Sequence, residues 1–372
     1  MKKLPLTYAR IDLDRLKKNY AAVRNIVGDN VKIMSVVKAD GYGHGADVVS
    51  KALLDAGTEC LAAANVDEAI NLRECVGPDI DIYILSDGDT ERFREIAKHR
   101  FIPAAYDLDK IRALNDEAKR AGTTLSIHLK FDTSMGRLGF SPDETERVVA
   151  ELNNLENILI DGMMSHMSSA DEADSSYSDG QIKTFNDIII HAQTLCVDPA
   201  HKHIANSAAV INLPNSHYNM VRPGIMLYGY APSRAMSDKL ELKPVMSLHS
   251  RIIQIKEHPA GKSISYSRTF TTSKKSTIAV LPIGYADGLP RLLSNKGHVL
   301  VNGKKAPIVG NITMDLTMID ITGIDSVNVG DEVTIIGEDG GNRIDAWDIA
   351  SLTGTICYEI LTGISQRVKR SS

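Results

Sequence analysis

The sequence predicts an α/β chain, with a TIM-like (β/α)8 barrel over residues 1–240 and a mostly β domain over 241–372. Three observations predict it. Through about the first 230 residues, short β-branched runs alternate with helical patterns, as parallel strands with crossover helices require. About eight such units fit into that length, the number that closes a barrel. Beyond APSRAMSDKLELKPV at 231–245, polar and proline-bounded, the period shifts to two, with Gly and Asn turns between segments. An open doubly wound sheet is the alternative for the first part, because periodicity does not report closure.

The expected strands are 32–38, 60–64, 80–85, 102–106, 124–131, 158–166, 201–205 and 219–222. Between them lie amphipathic stretches at 12–27, 46–56, 66–76, 90–99, 107–121, 142–153 and 179–195. The first carries Leu13, Leu16, Tyr20, Val23 and Ile26 or Val27, close to one helical stripe. Asp107 is a candidate cap for the fifth, and Ser141 followed by Pro142 opens the sixth. In the β domain, Asn302–Gly303 inside VLVNGKKAPIVG is a strong hairpin signal, and GDEVTIIG at 330–337 reads as a strand. One short helix is expected near Ala346–Leu352, and the first ten residues are candidates to pair with this domain.

Composition narrows the function classes. Over 372 residues, 43% are hydrophobic and 24% charged, an ordinary globular balance. A net charge of −5 lacks the basic footprint of a nucleic-acid binder. No apolar run reaches the ~18 residues of a membrane helix, and MKKLPLTYARID lacks the apolar stretch of a secretory leader. Cys60, Cys75, Cys196 and Cys357 lie far apart without CxxC spacing, so reduced thiols in a cytoplasmic protein are expected and a zinc site is not.

The chemistry concentrates in VVKADGYGHG, residues 36–45. Lys38 ends an apolar run and enters a glycine-rich loop. An amine there loses hydration, its pKa falls, and it becomes a better nucleophile toward a carbonyl. Gly41, Gly43 and Gly45 would let backbone approach a bulky anion, with the Tyr42 hydroxyl beside them. A lysine merely snorkelling to solvent is the plain structural alternative. Barrel logic places active groups at strand carboxyl ends. Lys38, Lys130, His166, Asn206 with Ser207, and Arg222 all end predicted strands, so they should share one face.

Read together with HLKFDTSMGRLGF (128–140), SHMSSADE (165–172), HIANSAA (203–209), MVRPGIMLYG (220–229), SISYSRTF (263–270), LPIGYADGLPR (281–291), GNITMDLTMID (310–320) and CYEILTGISQRV (357–368), this segment closely resembles alanine racemase. The resemblance runs almost end to end, in order. It implies a bacterial isomerase that uses pyridoxal 5′-phosphate to interconvert L- and D-alanine for peptidoglycan, as a homodimer with shared active sites. It also implies roles. Lys38 holds the cofactor and then serves as one base; Tyr266 is the second base on the opposite face, as removal and return of a proton on two sides of Cα require. A phenol of pKa ~10 needs neighbours to lower it, and His166 is implied in that network. Arg222 faces the pyridine nitrogen. Because arginine keeps its proton, that nitrogen stays largely unprotonated and transamination is disfavoured.

The phosphate is implied to lie against Tyr42, Ser207, the amides of Gly224 and Ile225, and Tyr358, with Asn206 as an accessory contact or a plain helix cap. Arg137 is implied near the substrate carboxylate, and Lys130 at a position that carries a carbamate in many relatives; a lysine simply paired with Asp132 is the alternative. Met314 and Asp315 resemble the segment that meets the substrate carboxylate, and Tyr285 and Arg291 an entrance gate. Tyr266, Met314 and Tyr285 are implied to act in the partner's site. The chain departs from the family pattern at Ser134 and Ser267, where glycine is usual, and at Leu289, Asn311 and Thr313. Those departures leave substrate range open. A serine, lysine or broad-specificity racemase is the near alternative, with Tyr358 favouring a small side chain. A decarboxylase of the same architecture is disfavoured by Arg222, and a non-catalytic cofactor carrier by the β domain.

Overall fold

The structure, a computed structural model, describes residues 5–86 and 88–372. The chain forms two compact units, one of Leu16–Gly41 and Ala46–Lys243, the other of the chain through Arg15 with Tyr42–Gly45 and Pro244–Ser372.

Strand β1 is Tyr8–Ile11, in the second of these units. The first unit is built on an eight-stranded parallel sheet. Its strands are β2 (Lys32–Val36), β3 (Cys60–Ala63), β4 (Asp81–Ile84), β5 (Ile102–Ala105), β6 (Leu125–Lys130), β7 (Ile158–Met164), β8 (His201–His203) and β9 (Met220–Val221). Each lies beside its sequence neighbour from β2 to β8, and β9 pairs with the far side of β2. At the seam between β8 and β9 the Arg222 N–H donates to the Ala205 carbonyl at 3.0 Å. A doubly wound sheet would reverse its strand order at a switch point; this one does not, and the barrel reading holds. Strands β3 (CLAA) and β5 (IPAA) are buried throughout, as expected for a sheet covered on both faces.

The expected helices form with small shifts at their ends. Leu13–Val27 buries Leu16, Tyr20, Val23 and Val27. Asp107 caps Leu108–Arg120, its side chain accepting from the Lys110 N–H at 3.0 Å. Ser141 and Glu144 open the next helix, the Ser141 N–H donating to the Glu144 carboxylate at 2.8 Å. The last of these helices begins at Ser176, three residues earlier than expected.

The other unit is mostly β. Strands β10 (Met246–Arg251), β11 (Gln254–His258), β12 (Ser263–Ile264), β13 (Phe270–Thr271), β14 (Ser276–Leu281), β15 (His298–Val301), β16 (Lys304–Pro307), β17 (Thr317–Asp320), β18 (Glu332–Asp339), β19 (Asn342–Ile344) and β20 (Lys369–Ser371) follow in the chain. The main sheet runs β16-β15-β18-β10-β1-β20, with β19 on β18, so the chain's start is woven between strands from its end. Strands β15 and β16 pair around Asn302 and Gly303, whose φ of 49° and 73° fit a tight two-residue hairpin turn. The expected helix is Ala346–Thr353, capped by Asp345. A second helix, Cys357–Thr362, was not expected: its six residues are too few to show a helical stripe. No helix among the described residues is long and apolar enough to cross a membrane.

Candidate active site

The residue after β2 and Val37 is Lys38, and the backbone beyond it differs from a simple flexible loop. Ala39, Asp40, Gly41 and Tyr42 all have positive φ, between 52° and 60°, so the chain makes a left-handed turn. Such a conformation costs roughly 1–2 kcal/mol for each residue with a side chain. The neighbourhood holds it: the Ala39 N–H donates to the Glu68 carboxylate at 2.9 Å, and the Ala46 N–H to Asp40 at 2.8 Å. Gly43 meets a close approach of another element. A Cβ there would lie 2.3 Å from the Leu361 carbonyl, so the glycine admits the helix Cys357–Thr362.

The strand-end residues of the barrel converge. Burial pulls the Lys38 amine below the usual lysine range, helped by the charges of Arg137 and Arg222 and opposed by Glu68. Lys130, at the end of β6, is pulled down to about 8 by burial and by Arg222, Arg137 and Lys38. It forms no ion pair among the described residues. The Asp132 charge opposes that shift from beyond ion-pair distance, while its Oδ1 accepts from the amides of Ser134, Met135 and Gly136 at 2.7–3.1 Å and so folds the loop that presents Arg137. Arg137 itself is exposed. His166 is neutral, its pKa pushed well down by burial and by the surrounding cations.

Arg222, after β9, is the most enclosed of the group. Its Nη2 donates to the Ser165 carbonyl at 2.7 Å and to His166 Nδ1 at 3.1 Å, and its Nη1 to His203 Nδ1 at 2.5 Å. Burial pulls its pKa down to about 9, so it remains a cation at neutral pH. Nearby, Asn206 caps a helix: Oδ1 accepts from the Ala208 and Ala209 amides, while Nδ2 donates to the Met167 carbonyl. The Gly224 N–H donates to Ser207 Oγ at 2.8 Å, so this amide braces Ser207 and the serine hydroxyl keeps its own proton to donate. Ile225 opens a 3₁₀ turn, and its N–H is one of the first-turn amides without a partner inside the turn.

The remaining predicted residues lie in the β unit, in two groups. Tyr42 and Tyr358 stand with ring centroids 6.2 Å apart, and burial raises the Tyr42 phenol. Tyr266 is 73% exposed on a turn held by Asn311, whose amide donates to the Tyr266 carbonyl at 2.8 Å. The Tyr285 and Ala286 amides donate to the Thr313 and Met314 carbonyls at 3.0 Å, which joins Tyr285 to Met314. Asp315 pairs with Arg367 at 2.8 Å, and Arg291 is exposed. Sequence reasoning missed the buried His128 and His203, the half-buried Asp161 and the carboxylate of Glu68. Alternation with Lys130 on β6 and between His201 and His203 on β8 was the available signal for the histidines.

Lys38, Lys130, Arg137 and Arg222 form a cation-rich site around an amine of depressed pKa, at the carboxyl ends of barrel strands. The matches along the whole chain place it among the pyridoxal-phosphate-dependent amino-acid racemases, a class of isomerases. Within that class the chain belongs to the alanine racemase family. Residues 11–232 match the family model of the alanine racemase N-terminal domain, and residues 245–372 that of the C-terminal domain. Alanine racemase of Halothermothrix orenii is 47% identical over 364 residues, covering 98% of this chain and 96% of the relative. The structure of alanine racemase from Clostridium difficile 630 superposes with a TM-score of 0.93 at 38% identity, covering 99% and 96% of the two chains. That of Bartonella henselae, described with covalently bound pyridoxal phosphate, has a TM-score of 0.88 at 30% identity and covers 99% of each.

Proposed function

We propose that this chain interconverts L- and D-alanine with pyridoxal 5′-phosphate carried on Lys38, acting as a homodimer whose copies share their sites, and supplies D-alanine for peptidoglycan in the bacterial cytoplasm. The observation that supports this reading is the cation-lined site around the Lys38 amine, whose charge suits a phosphate-bearing aldehyde and a substrate carboxylate together. When bound, the cofactor supplies an electron-withdrawing ring conjugated to Cα of the amino acid.

The residues of the chain do the rest. Lys38 would hold the cofactor, and its free amine would move the Cα proton on one face; Tyr266 of a second copy would move it on the other. Arg222 keeps its own protons and leaves the ring nitrogen largely unprotonated. Ser207 and Ile225 would donate to the phosphate, with the hydroxyls of Tyr42 and Tyr358 as further donors, while Gly224 positions Ser207. His166 steadies Arg222, and Asn206 fixes the backbone beside it. Arg137 would meet the substrate carboxylate with its planar fork, joined by the Met314 amide of a second copy, and a Lys130 carbamate would orient that arginine. Tyr285 and Arg291 gate the entrance, and Asp315 anchors its segment through Arg367. Exposed Tyr266, Tyr285, Met314 and Leu292 offer the apolar surface that a second copy would cover.

The test is racemisation of L-alanine, L-serine and L-lysine by the purified, cofactor-loaded protein, read by chiral chromatography beside sedimentation. Alanine is expected to turn over fastest, from a dimer, and Lys38→Ala to lose about a thousandfold or more. Serine or lysine turning over as fast would make it a broad racemase; full activity in Lys38→Ala would overturn the assignment.

A further inference from the structure

Arg222 is fully buried, yet none of its hydrogen-bond partners is a carboxylate. A buried cation needs compensation. Its Nη1 leads into a chain of imidazoles inside the barrel. Arg222 Nη1 donates to His203 Nδ1 at 2.5 Å. Arginine can only donate, so His203 carries its proton on Nε2, which donates to His128 Nδ1 at 2.6 Å. His128 in turn carries its proton on Nε2, which faces Asp161 Oδ2 at 3.3 Å. Every proton position follows from the arginine, and every bond points toward the carboxylate. Asp161 is only partly exposed and also lies 3.9 Å from His201 Nε2.

The backbone is shaped for this chain. Ile127 pairs with Ile160 but His128 with Gly162, so Asp161 is an extra residue in a bulge of β7. A Cβ on Gly162 would fall 2.5 Å from the His128 ring, so the glycine makes room for the imidazole. Burial keeps both histidines below their ordinary pKa and therefore neutral, as the one-way chain requires.

We propose that Asp161, acting through His128 and His203, is the remote counter-ion of Arg222, and that these three positioning residues set the orientation and acidity of the guanidinium toward the cofactor's ring nitrogen. The inference rests on the cofactor reading above. Without the carboxylate, Arg222 becomes a stronger proton donor, the ring nitrogen becomes more electron-poor, and loss of product to transamination rises.

The test compares wild type, Asp161→Asn and Asp161→Glu, each loaded with pyridoxal phosphate labelled with ¹⁵N in the ring. Asp161→Asn keeps the acceptor and removes the charge. It is expected to move the ring ¹⁵N resonance toward the protonated position and to lower turnovers per transamination event at least threefold, with KM for alanine little changed; Asp161→Glu is expected to restore both. A wild-type resonance and partition in Asp161→Asn would overturn the proposal. Should that variant fail to fold, histidine ¹⁵N spectra of the wild-type protein decide: both rings as neutral Nε2–H tautomers support the chain, and an Nδ1–H tautomer at either breaks it. Failure of the wild type to bind cofactor through Lys38 would instead sink the cofactor reading, a separate outcome visible before any variant is made.

Discussion

At the scale of single residues, the governing effect is what burial among cations does to an amine. Lys130 at about 8 is half neutral near that pH, and only the neutral amine captures carbon dioxide. We therefore expect carbamylation of Lys130 to increase as pH rises through 8 in bicarbonate, with a mass gain on the intact protein that Lys130→Ala lacks. No gain at any pH would leave an ordinary lysine there. Two departures from the family pattern also acquire a cost. Ser134 has φ 85° and Ser267 φ 57°, both in the region that favours glycine. Replacing either by glycine should raise stability by about 1 kcal/mol, the steric relief exceeding the added chain entropy. Unfolding in urea measures it, and a loss of stability would contradict the strain argument.

At the scale of elements, the left-handed turn after β2 shows where sequence legibility stops. The lysine at a strand end was readable from the apolar run before it, and the strand ends that converge with it were readable from barrel logic. The turn was not, because Ala39, Asp40 and Tyr42 are residues with side chains and their positive φ is imposed from outside by Glu68 and the 46–55 helix start. Glu68→Ala removes acceptors of the Ala39 and Ala64 amides and should cost about 1–3 kcal/mol. It also removes the carboxylate that raises the Lys38 pKa, so the amine should titrate at lower pH than in the wild type. An unchanged titration would show that Glu68 acts on the backbone alone. The polar column inside the barrel was likewise hidden: His128 and His203 were visible as letters, but the bulge that adds Asp161 to their line appears only in the paired strands.

At the scale of the whole molecule, the buried histidines link stability to pH. His128, His166 and His203 are held below the ordinary imidazole value of about 6.5 by burial. Below that pH the unfolded chain binds protons that the folded chain refuses, so acid favours unfolding, with a slope of up to about 1.4 kcal/mol per pH unit for each histidine. The urea midpoint should thus fall between pH 6.5 and 5; a midpoint that rises there would contradict neutral burial. The order of the barrel strands was legible because sequence neighbours are spatial neighbours, whereas the weaving of β1 between β10 and β20 depends on pairing across the full chain length. The central claim is two-base racemisation by Lys38 and Tyr266. Its most direct measurement is Cα deuterium exchange in D2O by Tyr266→Phe, with L- and D-alanine supplied separately to the cofactor-loaded protein. Exchange should survive with one enantiomer, through Lys38, and be lost with the other. Equal exchange of both enantiomers would show that one base serves both faces and would contradict that claim.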